Sequence, residues 1–240
     1  MLAVKRTRAT VVVLALLSGC ICINAAAQEE IKIIRPSHDV AVPSGMLQKL
    51  SVADTEAFIV FPNRGAILVY DTVRDKPDTA DFMDNHPHVA VFSPSGAVAI
   101  DVDSVALAPF GPVRFDGMAV MPVSDGAPLS ACAFTLGGDG AGTFFVFVGQ
   151  ESRTYKVLAT LHGAQAQLRF NAKSPKRLEF WTADGSVFPN DPGKNCVWCP
   201  KYYRTKTYEW RNGKLVLLAA SKSSRAYEPK TFDDARFLVR

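Results

Sequence analysis

Gly137-Gly138-Asp139-Gly140-Ala141-Gly142 runs straight into Thr143-Phe144-Phe145-Val146-Phe147-Val148, and the residues after the glycines decide the fold class. A glycine-rich loop that cradles a dinucleotide needs a helix after it, because the free amides at the helix N-terminus take the pyrophosphate. Here the glycines give way to β-branched and aromatic residues, which suit a pleated, packed surface. The glycine run is therefore a hairpin loop between strands at 131–136 and 143–148. A hairpin loop is favoured here over a nucleotide loop.

The same rhythm repeats outward in both directions. Toward the C-terminus, His162-Gly163 separates β-rich runs at 155–161 and 164–170, and Asn212-Gly213 separates 203–210 from 214–219, with a further strand at 178–182. Toward the N-terminus, Asp116-Gly117 separates 113–115 from 118–123, Ser93-Pro94-Ser95-Gly96 separates 88–92 from 97–102, and Pro62-Asn63-Arg64-Gly65 separates 57–61 from 66–70. X-Gly pairs flanked by apolar runs are the strongest short-range hairpin signals. A strand at 31–34 opens the series, and a loop covers 35–42.

Helical signals are few. Residues 46–50 form one short candidate with Ser44 as N-cap, and the C-terminus offers another with Thr231 as cap and Asp233 and Asp234 in its first turn. Strands spaced every 8–12 residues without strand–helix alternation predict an all-β protein. Antiparallel hairpin meanders would form a sandwich, a barrel or a partial propeller-like domain. The run from 155 to 219 would be one meander sheet or one propeller-like blade. The apolar pattern lapses in a polar loop between Asp71 and His88, so 71–87 is where a sub-domain boundary would fall in an otherwise single domain, 28–240.

The N-terminus is a targeting signal. Lys5, Arg6 and Arg8 precede the apolar run Val11-Val12-Val13-Leu14-Ala15-Leu16-Leu17, the order a secretory leader requires. Ala25-Ala26-Ala27 before Gln28 supplies a small-residue cleavage site, giving a leader of residues 1–27. Leu17-Ser18-Gly19-Cys20 supplies an alternative, a lipobox with Cys20 as the lipidated first residue. The apolar core is shorter than the roughly 20 residues that span a bilayer, so the membrane enters only through that lipid anchor.

Cleavage alters the charge. The chain holds 27 Lys plus Arg against 23 Asp plus Glu, and three of the cations belong to the leader, leaving 24 against 23 and a net of +1. The pI of 8.8 is thus largely the targeting signal, and nucleic acid is not expected as a partner. Export also places the cysteines in an oxidising compartment. No Asn-x-Ser/Thr sequon occurs, which fits a bacterial periplasm.

Special residues are densest from 178 to 221. Cys196-Val197-Trp198-Cys199 lacks the second C-x-x-C of a zinc site and the following helix of a thioredoxin-type site. It reads as a disulfide, Cys196 to Cys199, that fixes Trp198 locally, while Cys132 remains a buried thiol. Upstream, Asp184, Asn190, Asp191 and Asn195 give the loop oxygen ligands of the kind Ca²⁺ takes, yet their order matches no EF-hand. Calcium is the one cofactor the sequence hints at. Trp198 and Tyr202 beside Asp184, Asn190 and Asp191 make a candidate binding surface, since rigid aromatics on a constrained loop suit recognition.

Two further sets have residue types suited to chemistry. Asp101 and Asp103 lie two apart on a strand, both carboxylates on one face while Ile100 and Val102 pack inward, and paired acids can hydrolyse glycosides. His86-Pro87-His88 near Asp81 and Asp84 could present imidazoles to Zn or Cu. There is no G-x-S-x-G elbow, S-x-x-K or H-E-x-x-H. The sequence thus predicts an exported, non-catalytic binding protein of the periplasm or envelope, engaging a protein or glycan through loops near 184–199. The alternatives are a hydrolase using paired carboxylates and a thiol-redox accessory protein.

Overall fold

The computed structural model describes residues 30–38, 40–61, 63–72, 86–107, 113–122, 129–136, 142–151, 154–183, 202–226 and 235–240. Fourteen strands and two single-turn helices occur among them. The strands are β1 (Lys32–Ile34), β2 (Val52–Phe61), β3 (Gly65–Thr72), β4 (Pro87–Phe92), β5 (Val98–Asp103), β6 (Val113–Met121) and β7 (Leu129–Leu136). They continue as β8 (Gly142–Glu151), β9 (Thr154–Ala164), β10 (Gln167–Asn171), β11 (Ser174–Ala183), β12 (Tyr202–Arg211), β13 (Lys214–Ala226) and β14 (Phe237–Val239). Helix α1 is Ser44–Leu47 and α2 is Ser104–Leu107.

They form three sheets: β2-β3-β4-β5, β1-β6-β7-β8-β9, and β13-β12-β11-β10-β14. The protein is all-β, a sandwich of stacked sheets with no closed barrel. The sheet containing β8 lies in the middle. Side chains alternate across a strand, so Phe144, Val146 and Val148 of β8 join the core shared with the first sheet, against Val69, Val89 and Val91. Phe145 and Phe147 enter the core shared with the third sheet, against Phe180, Tyr208 and Trp210. A strand that is apolar without alternation is one buried on both faces. The outer face of the first sheet is capped by α1 and its flanks, with Met46, Leu47 and Leu50 over Leu68, Tyr70 and Phe92.

Several local expectations are corrected. Asp116-Gly117 is not a hairpin turn. β6 runs through it, with a bulge between Phe115 and Gly117 and Gly117 at φ 141°. The extra residue keeps Phe115 and Met118 in the same core, which strict alternation would forbid. His162-Gly163 is not a turn either. β9 continues to Ala164 and the chain reverses at Gln165, φ 43°. A Cβ on Gly163 would stand 2.5 Å from Thr182 Cγ2, so the glycine permits the close approach of β9 to β11. Asn212-Gly213 does form a turn, with φ of 49° and 73°.

The run from 155 to 219 is not one sheet, because β9 pairs with β8 in the middle layer. In its place β14 completes the third sheet by pairing parallel to β10. Thr231, Asp233 and Asp234 lie outside the described residues. Ser44 is the first helical residue of α1 and not its cap, a position held by Pro43. The strands flanking 71–87 are neighbours, with Tyr70 opposite His88 and Asp71 opposite Pro87. No described helix is long and apolar enough to cross a membrane.

Candidate functional site

Of the residues singled out between 184 and 199, Asp184, Asn190, Asp191, Cys196, Trp198 and Cys199 all lie outside the described residues, as does Cys20. Tyr202 is described. It begins β12, half-buried, with the Lys222 ammonium 4.4 Å from its ring centroid, a cation–π contact. Ala183 and Tyr203 are paired neighbours, so the connection 184–201 leaves and re-enters the third sheet at one end.

The pairing register defines the face that the third sheet turns away from the core. Arg169 stands beside Glu179 and Gln167 beside Trp181. Glu179 stands beside Thr207, Trp181 beside Thr205, and Arg177 beside Glu209. This face mixes charge, hydroxyls and aromatics. The Arg169 guanidinium sits 3.7 Å from the Trp181 ring centroid and donates from Nε to Gln167 Oε1 at 2.7 Å. Trp181 donates its indole N–H to Glu179 at 2.8 Å and meets Tyr203 edge-on at 5.6 Å. Toward the β10–β11 turn the face opens into a groove of about 510 Å³, bordered by Arg169, Lys173, Arg177, Glu179, Thr207 and Arg240.

On the first sheet Asp101 is an acceptor hub. Tyr70 donates its hydroxyl to Asp101 Oδ2 at 2.8 Å, and His88 Nδ1 lies 3.2 Å from Oδ1. Burial works against the Asp101 charge, but the hydrogen bonds from His88 and Tyr70 outweigh it and hold the carboxyl below its usual range. His88 is raised, chiefly by that same hydrogen bond, and Tyr70 is raised by burial and by the bond to Asp101. Asp103 lies opposite His88 in the register, and Ile100 and Val102 pack inward as expected. Asp81 and Asp84, the other members of the set around His86 and His88, lie outside the described residues, and among the described residues no cluster of three or more His, Cys, Asp or Glu is arranged to hold a metal ion.

Beside this hub stands a carboxyl pair that sequence reasoning missed. Glu56 is the extra residue of a bulge in β2, between Thr55 and Ala57, and only 4% of it is exposed. Burial first, and the charge of Asp71 next, push its carboxyl up to about 7, while burial and Asp54 raise Asp71 as well. The two side chains share a hydrogen bond, so Glu56 holds the proton and Asp71 accepts it. His38 contacts Asp54 at 2.7 Å at the margin of this cluster. The signal for the pair was the turn at 62–65, because counting outward from it brings Glu56 level with Tyr70 and Asp71.

A second bulge also delivers an acid. Asp116 receives the Arg236 guanidinium at 2.8 Å and bonds from Arg114 and Thr135. This clasp ties the approach to β14 onto the middle sheet. Cys132 is wholly buried, its thiol pushed up to about 12 by desolvation, which leaves it inert. The chain matches no protein-family model, no curated protein and no solved structure.

Proposed function

We propose that this is an exported binding protein of the periplasm or cell envelope, which engages a glycan or protein through the outer face of its third sheet and the connection 184–199. The observation that carries this reading is the asymmetry of the third sheet. One face fills a core with Phe170, Phe180, Tyr208 and Trp210, while the other presents Arg169, Arg177, Glu179, Trp181, Thr205 and Thr207 in register. The connection richest in recognition-type residues springs from that sheet. A disulfide between Cys196 and Cys199 would hold Trp198 there in one geometry. The secretory leader supports the location, with Cys20 lipidation as the alternative form.

Hydrolysis by Asp101 and Asp103 has weaker support. A general acid needs a raised pKa, whereas Asp101 is lowered by its two donors. Binding is tested by photo-crosslinking in an intact envelope fraction. A benzophenone amino acid at Tyr202 or Thr205 should yield discrete adducts, and the same group at Val60, exposed on the first sheet, should yield none. Equal labelling from Val60 would sink the reading.

A further inference from the structure

The groove at the β10–β11 end of the third sheet has the chemistry of an acidic-sugar site. We propose that it binds a saccharide of one or two units carrying a carboxylate or phosphate, an inference that rests on the binding reading above. Four observations converge on it.

The volume, about 510 Å³, falls within the roughly 300–1,000 Å³ of small-molecule sites. Lys173, Arg177 and Arg240 border it together with Arg169, whose own guanidinium is held by Trp181 and Gln167, and Glu179 is the one acidic residue of the border, so an anionic group is favoured. Arginine forks match carboxylate and phosphate oxygens two at a time. The charges also differ in mobility. Arg169 is 5% exposed and fixed over Trp181, whereas the side chain of Arg177 is 55% exposed, 3.5 Å from Glu209, and within reach of a ligand.

Glu179 and Thr207 separate this from a site for a bare ion. A carboxylate accepts hydrogen bonds from sugar hydroxyls and a threonine both gives and accepts them, whereas Glu179 would repel the full charge of inorganic phosphate. The side chains of Phe170 and Leu178 belong to the core on the other face, which leaves exposed Ala172 as the apolar residue at the border. Cations and hydroxyl partners together describe an acidic sugar better than an inorganic anion or a neutral sugar.

Calorimetric titration of the mature protein tests this with four probes: glucuronate, glucose 6-phosphate, glucose and inorganic phosphate. One or both acidic sugars should bind at least ten-fold more tightly than glucose and than phosphate, and which of the two binds identifies carboxylate or phosphate as the source. Lys173→Gln/Arg177→Gln should weaken that binding at least ten-fold, with an unchanged Tm. Lys214→Gln, which removes one exposed charge elsewhere on the same sheet, should leave it within two-fold. The proposal is overturned if neither acidic sugar binds, if glucose or phosphate binds equally, or if the double variant binds like the parent. Envelope adducts from Thr205 alongside any of those results would remove the acidic-sugar assignment and leave the binding reading standing.

Discussion

The middle and third sheets are both five-stranded, yet they are built to opposite specifications. Every pair of layers in the molecule shares the middle sheet, and its strands β7 and β8 are apolar at successive positions, with Phe144, Phe145, Val146, Phe147 and Val148 all at 0% exposure. The third sheet alternates, with Tyr208 and Trp210 facing the core and Thr207 and Glu209 facing out. A sheet covered on both sides has no surface left for a ligand, but each large side chain it buries is worth roughly 1.5–3 kcal/mol. A sheet covered on one side contributes less to stability and keeps a face on which charged and aromatic residues can be arranged. Two-sided burial and an outward polar face thus belong to different layers.

The comparison breaks first on a core substitution. Phe145→Ala should cost about 3–5 kcal/mol in urea unfolding, because Phe145 touches Phe180 and Phe237 across the interlayer space and the cavity would not collapse between two rigid sheets. A loss under about 1 kcal/mol would mean that the third sheet is not docked there. Next comes Arg236→Met, which strands the Asp116 carboxylate, 8% exposed. We predict a loss of about 3 kcal/mol, the low end for a broken buried pair, since Arg114 and Thr135 remain on Asp116.

A pH series extends the contrast to the first sheet. Glu56 titrates near 4.5 when unfolded and about 7 when folded. Between those values the unfolded chain has released a proton that the folded chain retains, so stability is full below about 4.5 and falls as the pH rises to about 7. Asp71, also raised, adds in the same direction. Glu56→Gln should flatten the slope of Tm against pH in that window, and an unchanged slope would assign it to other groups. The smallest effect belongs to the third sheet's edge strand. Leu217, 51% exposed, should tolerate Leu217→Ala within about 0.5 kcal/mol, and a larger loss would reveal a covered edge.

Fold class and most hairpins were legible from the residues, and three X-Gly pairs show where legibility stops. A type I′ two-residue turn needs positive φ at both positions, and of the three pairs Asn212-Gly213 alone has it. At Asp116-Gly117 the glycine serves a bulge, and at His162-Gly163 it serves contact with Thr182. All three read alike in one dimension, because the choice depends on what lies across the space, not along the chain. The doubly buried middle sheet was readable in principle from the unbroken apolar run at 143–148. The outer face of the third sheet was visible only in part: Tyr202 was picked out locally, whereas Arg169, Arg177 and Thr207 come together through pairing across three strands. Glu56 and Asp71 were hidden for the same reason, fifteen positions apart in sequence and adjacent only once β2 and β3 pair.

The layers stack in chain order: β2 to β5, then β6 to β9, then β10 to β13. Each is a meander whose neighbours in space are mostly neighbours in sequence, so a ribosome delivering the chain from its N-terminus supplies one complete layer at a time. The interval between the second and third layers is the hazardous one. During it Ala131, Ala133, Phe145 and Phe147 form a finished but uncovered apolar surface, and protection from aggregation would be needed most while β10 to β13 are still emerging.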